Sequence, residues 1–194
     1  MDQPNHKASR MTHAMTYDRF VSEDELLKSV LPYGAYPKVS AIAGRRINPD
    51  IDALEFYKIS QNQYRLNGYE MKLIKFDERS KSLGWDAFYK GIGEALLYLK
   101  NGVQRTNLIL GFHQNIPDDR KIEEFRQLLW GKKELLARIF GRHMSLGMAL
   151  YKRGNIGKIV EATSDFLPQD EDIEFLTRAL IQKHFTYDKK LRRS

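Results

Sequence analysis

Asp50 and Asp52 stand two residues apart in the segment Asn48-Pro49-Asp50-Ile51-Asp52-Ala53-Leu54-Glu55-Phe56-Tyr57, and Glu70 and Lys72 stand two apart in Gly68-Tyr69-Glu70-Met71-Lys72-Leu73-Ile74-Lys75-Phe76. On an extended strand, residues two apart point to one face. Each segment therefore presents a pair, Asp with Asp and Glu with Lys, and neighbouring strands would bring the pairs together at one end of a sheet. Clustered carboxylate oxygens suit a hard divalent cation, Mg2+ or Mn2+, held together with water. A lysine beside them would orient an attacking water and help lower its pKa. Glu-x-Lys alone is a common pattern, and strand-end acids are mostly solvated. What distinguishes this one is order: an aspartate 18 or 20 residues earlier on an apolar strand, and an amphipathic helix afterwards.

The elements that must position these groups follow from periodicity and punctuation. Ser22, followed by Glu23, Asp24 and Glu25, reads as an N-cap with acids in the first turn, opening a helix through Leu26, Leu27, Val30 and Leu31. A strand is expected over 39–43, ended by Gly44. The two acid-bearing segments read as strands of a hairpin or meander, with 60–67 as a polar connection. Residues 85–99 read as a helix whose stripe is Phe88, Ile92, Ala95, Leu96 and Leu99, stopped by Gly102. A buried strand over 106–112 precedes a long helical stretch from Pro117, broken at Gly131 or Gly141. A last strand over 158–162 and a helix over 170–184 complete the chain. No internal repeat is present. The expectation is a single α/β domain over 18–186, a small mixed sheet flanked by helices, between a flexible leader at 1–17 and a loose basic tail at 187–194.

Composition bounds the partners. The chain has 194 residues with 42% apolar and 11% aromatic content, enough for one domain with a core. It has no cysteine, which excludes disulfides and thiolate metal sites. No apolar run approaches a membrane span and the N-terminus lacks a signal-like apolar segment, so a cytoplasmic protein with no membrane partner is expected. The net charge of +7 favours a polyanion. No acid interrupts 138–158, where Arg138, Arg142, Lys152 and Arg153 accumulate as candidate phosphate-backbone contacts.

The run Pro49-Asp50-Ile51-Asp52, then Glu70-Met71-Lys72, resembles the signature of the PD-(D/E)XK nuclease superfamily. The helix Phe88-Tyr89-Lys90-Gly91-Ile92-Gly93-Glu94-Ala95-Leu96-Leu97-Tyr98 is similar to the glycine-led Gln-x-x-x-Tyr helix of its RecB-like members. The resemblance covers about residues 20–115 and implies a restriction-endonuclease-like three-layer core and Mg2+- or Mn2+-dependent hydrolysis of DNA. By that likeness Asp52 or Asp50 is the strand carboxylate on the metal, with Asp52 further inside the apolar strand. Glu70 is the second ligand and the Met71 carbonyl a third. Lys72 positions the attacking water and stabilises charge on the phosphate, while Glu23 or Glu25 adds an acid from the first helix. Glu94 stands where the likeness has glutamine, a departure that suits a further metal-shell acid, and Tyr98, one turn on, would contact phosphate.

Two other readings stay open: a DNA-binding or assembly module that keeps the fold without cleaving, and a Holliday-junction resolvase-like dimer with the long helix after Asp118 as its contact. His113 and His143 read as structural, and Trp130, Met144 and Met148 as core or interface. Gly91-x-Gly93 reads as close packing of helix on sheet. No phosphate-binding Gly-x-x-x-x-Gly-Lys-[Ser/Thr] loop is present, which argues against an NTPase.

Overall fold

The computed structural model describes residues 17–31, 35–61, 63–167 and 170–191, with side chains up to Lys183. In chain order the elements are α1 (Glu23–Val30), β1 (Tyr36–Ile42), β2 (Arg45–Ser60), β3 (Gln63–Ile74), the short hairpin β4 (Phe76–Asp77) and β5 (Ser82–Leu83), α2 (Asp86–Lys100), β6 (Arg105–Phe112), α3 (Asp119–Gly131), α4 (Lys133–Leu136), a π-helical turn (Ala137–His143), β7 (Leu146–Lys152), β8 (Asn155–Val160) and α5 (Glu171–Leu191). Six strands form one mixed sheet in the order β1-β2-β3-β6-β7-β8. The β1–β2, β2–β3 and β7–β8 pairs are antiparallel, and β3–β6 and β6–β7 are parallel.

Parallel neighbours need a crossover, and helices supply both: α2 joins β3 to β6, and α3, α4 and the π turn join β6 to β7. Both crossovers lie on one face, where Phe88, Ile122, Phe125 and Leu129 pack on Ile74, Leu108, Leu110 and Phe112. On the other face α1 sets Leu26, Leu27 and Val30 against Met71, Leu73 and Ile109. β6 is therefore buried and apolar without a break from Leu108 to Phe112, as a central parallel strand covered on both faces should be. The short α1 is held by its cap: Ser22 Oγ accepts the Glu25 N–H at 3.3 Å.

Several expectations change. The polar stretch 60–67 is mostly ladder, because β2 and β3 pair from Ala53↔Tyr69 to Ser60↔Gln63 around a tight turn. The 138–158 region holds β7, which carries no alternation because it too is buried on both faces. It turns into β8 through Arg153 and Gly154, both at positive φ (46° and 71°). Tyr17, expected in the leader, is core: it packs edge-on against Phe112, and its hydroxyl donates to Glu123 at 2.7 Å. Residues 1–16 of the expected leader lie outside the described residues, as do 192–194 of the expected tail, and α5 continues through the tail's first residues to Leu191. No helix among the described residues is long and apolar enough to cross a membrane.

Candidate functional site

The β2–β3 ladder ends at Ala53↔Tyr69, whereas β3 stays paired with β6 through Ile74↔Phe112. Beyond Tyr69, the β2 side of β3 opens into a gap, and the candidate residues sit there. Asp52 fills part of it: its Oδ2 accepts the Met71 N–H at 2.9 Å, a donor the lost ladder leaves without a strand partner. Glu70 and Lys72 alternate onto the α2 face, as two-residue spacing requires. Both are buried, and the Lys72 ammonium donates to Glu70 Oε1 and, at 3.3 Å, to the Met71 carbonyl. Glu94 on α2 lies 2.8 Å from the same ammonium, and Glu23, at the start of α1, 3.5 Å away.

The approach of α2 depends on Gly91. A Cβ there would meet Leu108 Cδ1 at 2.6 Å and Lys72 Cγ at 2.8 Å, so the glycine lets the helix lie on the lysine stem. Gly93, read with it as a packing glycine, has nothing within 4 Å of a built Cβ. One turn after Glu94, Tyr98 is fully buried. Its hydroxyl accepts the Asp52 N–H at 3.2 Å and directs its one proton to Glu70 Oε2 or to the Asp50 carbonyl at 3.0 Å. The expected phosphate contact by Tyr98 is thereby excluded, because the hydroxyl has no exposed side and holds Glu70 instead.

Two other expected residues lie elsewhere than expected. Asp50 was read as sharing a face with Asp52, but β1–β2 pairing jumps from Val39↔Ile51 to Ala41↔Arg46. The intervening 47–50 bow out of the alternation, and Asp50 is exposed with only its carbonyl at the cluster. Glu25 does not reach the cluster; its carboxylate accepts the Val21 N–H at 2.8 Å in the helix cap. Glu23, the alternative on that helix, is the acid that does. Lys38 went unnoticed in the sequence. The pairs Pro37↔Ala53 and Val39↔Ile51 set it opposite Asp52, at a positive φ of 54°, with its ammonium 2.7 Å from Asp24 and 3.9 Å from Asp52. Lys38 precedes the strand expected over 39–43, and β1 in fact begins at Tyr36 and takes it in.

The cluster's charge is unbalanced. Five carboxylates (Glu23, Asp24, Asp52, Glu70, Glu94) meet three ammonium groups (Lys38, Lys72, Lys90), leaving two negative charges in excess when all are ionised. The excess falls on Glu70: burial, and then the charge of Asp52, push its carboxyl up to about 8 despite Lys72 and Tyr98. Burial likewise raises Asp52 above its ordinary value, against the Met71 N–H. Burial works against the charged form of Lys72, but hydrogen bonds to Glu70 and Glu94 outweigh it and hold the lysine above its ordinary value. Glu94, though partly buried, is lowered by its bond from Lys72. The partners differ because Lys72 faces three acids, whereas Glu70 shares one lysine and faces Asp52.

The donor set near the gap is all oxygen: the carboxylates of Asp52 and Glu70, and the Met71 carbonyl. Two carboxylates with water is the set Mg2+ or Mn2+ accepts, and a divalent charge equals the excess. Among the described residues, however, no three His, Cys, Asp or Glu side chains converge as a metal-binding group, since the Lys72 ammonium lies between the acids.

The basic candidates divide. Arg138 and Arg142 are exposed on the π turn before β7, and Lys152 and Arg153 follow its C-terminal end. A seven-residue strand, about 20 Å long, lies between the pairs, so the four do not form one patch. Lys72↔Leu110 and Leu110↔Leu150 register puts Lys152 and Arg153 at the end of the sheet that carries the gap. The Lys152 ammonium also lies 4.8 Å over the Tyr17 ring. No protein-family model, curated protein or solved structure matches this chain.

Proposed function

We propose that this chain is a divalent-cation-dependent nuclease that hydrolyses phosphodiester bonds of DNA, with a restriction-endonuclease-like core of the PD-(D/E)XK kind. One observation carries the reading: Asp52 meets Glu70, Met71 and Lys72 where β2 parts from β3, in a cluster whose negative charge exceeds that of its own lysines. Asp52, Glu70 and the Met71 carbonyl would hold Mg2+ or Mn2+, which when bound supplies Lewis acidity and a water of lowered pKa.

The chain's own groups do the rest. Glu70 must shed its proton to serve as a ligand, and Tyr98 donates to the carboxylate so formed and keeps it aimed. Lys72, which Glu94 holds as well as Glu70, would orient the attacking water and stabilise charge on the phosphate. Lys38, with half its side chain exposed (51%) against 7% for Lys72, is the cation that an entering phosphate meets first.

The test is cleavage of plasmid, single-stranded and branched DNA in Mg2+ or Mn2+. Wild type should cleave at least one of them, and Glu70→Ala should lose about a hundredfold or more. Equal rates would overturn the assignment, and cleavage of branched DNA alone would identify the resolvase-like form. A second reading, a module that binds DNA without cutting, is favoured by the Lys72 ammonium lying among the acids. It forecasts no Mn2+-dependent rise in thermal stability, whereas a site that binds only the folded chain requires one.

A further inference from the structure

On the face that carries α1, the sheet is covered only in part. From Tyr69 back toward the start of β3 it forms an open cleft of about 460 Å3, crossed by β2, β3, β6, β7 and β8, on the side of the sheet opposite α2. That volume suits a mononucleotide-sized ligand. Small residues keep it open. Ala149 and Ala162 line the floor, and a Cβ at Gly147 would lie 2.5 Å from Asn107 Oδ1, so the glycine leaves the Asn107 amide room beside it.

At one end Glu55 is fixed without any cation. Its Oε2 accepts from the Tyr69 hydroxyl at 2.6 Å and from Asn67 Nδ2 at 2.9 Å, and no Lys or Arg among the described residues pairs with it. The Asn67 amide cannot turn over, since its oxygen would then face the carboxylate. Held this way, Asn67 Oδ1 is buried with no partner, a cost of about 1–3 kcal/mol by general experience. The chain thus tolerates an unsatisfied acceptor in order to hold still one carboxylate of the cleft lining. Tyr57, 52% exposed, adds an aromatic surface nearby, and Lys158 lines the β8 side.

We propose that this cleft binds a guanine nucleotide. Guanine carries its ring N–H and exocyclic amine side by side, and both can converge on a fixed carboxylate. Adenine and cytosine set a ring acceptor next to the amine, and uracil flanks its N–H with two carbonyls, so each turns a lone pair toward Glu55. The tyrosine rings take the base plane, the Asn107 amide takes the opposite edge, and Lys158 takes the phosphate.

Titration calorimetry with the full chain in EDTA tests this independently of any cation-dependent cleavage. GMP should bind; IMP, which lacks the amine, and AMP should bind about tenfold to a hundredfold more weakly. Glu55→Gln should lose GMP by a similar factor with unchanged melting temperature. Lys158→Ala should weaken GMP but not guanosine. An oligothymidylate with one internal guanine separates a free nucleotide from a base within a strand: binding as tight as GMP assigns the cleft to strands, and weaker binding to the free nucleotide. Equal affinity for GMP and AMP, wild-type affinity in Glu55→Gln, or no GMP binding at millimolar concentration would overturn the proposal.

Discussion

Lys72 and Glu70 are bonded to one another and both buried, yet removing each should affect the folded chain differently. Lys72→Met leaves Glu70, Glu94 and Glu23 facing one another without their shared cation. Breaking a buried pair from one side costs about 3–5 kcal/mol, so urea denaturation should show a loss on that order, with Mn2+ restoring part of it. Glu70 behaves differently because its carboxyl lies near 8 in the folded chain against an ordinary 4.5. Between these values the folded chain keeps a proton that the unfolded chain has given up. The stabilisation is full below pH 4.5, declines as pH rises, and is gone above about 8. Stability measured across that window should fall with pH in wild type and fall less in Glu70→Gln. The same proton competes with a cation, so Mn2+ affinity should rise toward pH 8 and level off above it.

Elements enter through how closely they approach. α2 carries Glu94 and Tyr98 one turn apart, and their reach to Lys72 and Glu70 depends on the contact at Gly91. Gly91→Ala gains helix propensity of about 1 kcal/mol but drives a methyl into Leu108 and Lys72. Overpacking of that kind costs about 1–3 kcal/mol. A net loss of stability, together with loss of DNA cleavage, is the expected outcome. Gly93→Ala meets no neighbour and should stabilise by up to about 1 kcal/mol. Thermal melts of the two variants check both signs. The sequence marked the two glycines alike, since helical spacing says nothing about which one faces a neighbour. In the same way the periodicity that disclosed α2 was silent for β7, whose two buried faces erase alternation.

At the scale of the whole molecule, charge distribution matters more than net charge. The +7 of the chain predicts a polyanionic partner, but its local excesses differ in sign: the gap is acidic, while basic groups stand at both ends of β7. By the proposed function, DNA reaching the gap would meet the Arg153 end. Arg153→Ala should reduce the salt slope of DNA affinity by about one, while Arg138→Ala and Arg142→Ala leave it unchanged, as filter binding across a salt series would reveal. A loss confined to Arg138 and Arg142 would mean that the duplex lies across the other end of the sheet.

Residue types and their spacing along the chain were enough to pick out the pair Asp50 and Asp52 without choosing between them, Glu70 and Lys72, the hairpin that carries them, the helix that follows and the α/β class, because two-residue and 3.6-residue periods are local properties. What tertiary structure decided is which of several equally plausible groups meet. Asp52 rather than Asp50 reaches the gap because β2 bows out at 47–50; Glu23 rather than Glu25 because the latter closes its own helix cap; Lys38 because β1 begins before the segment expected over 39–43 and pairs across from Asp52. These choices depend on where a ladder ends and where a strand bulges, which are set by contacts between segments far apart in sequence.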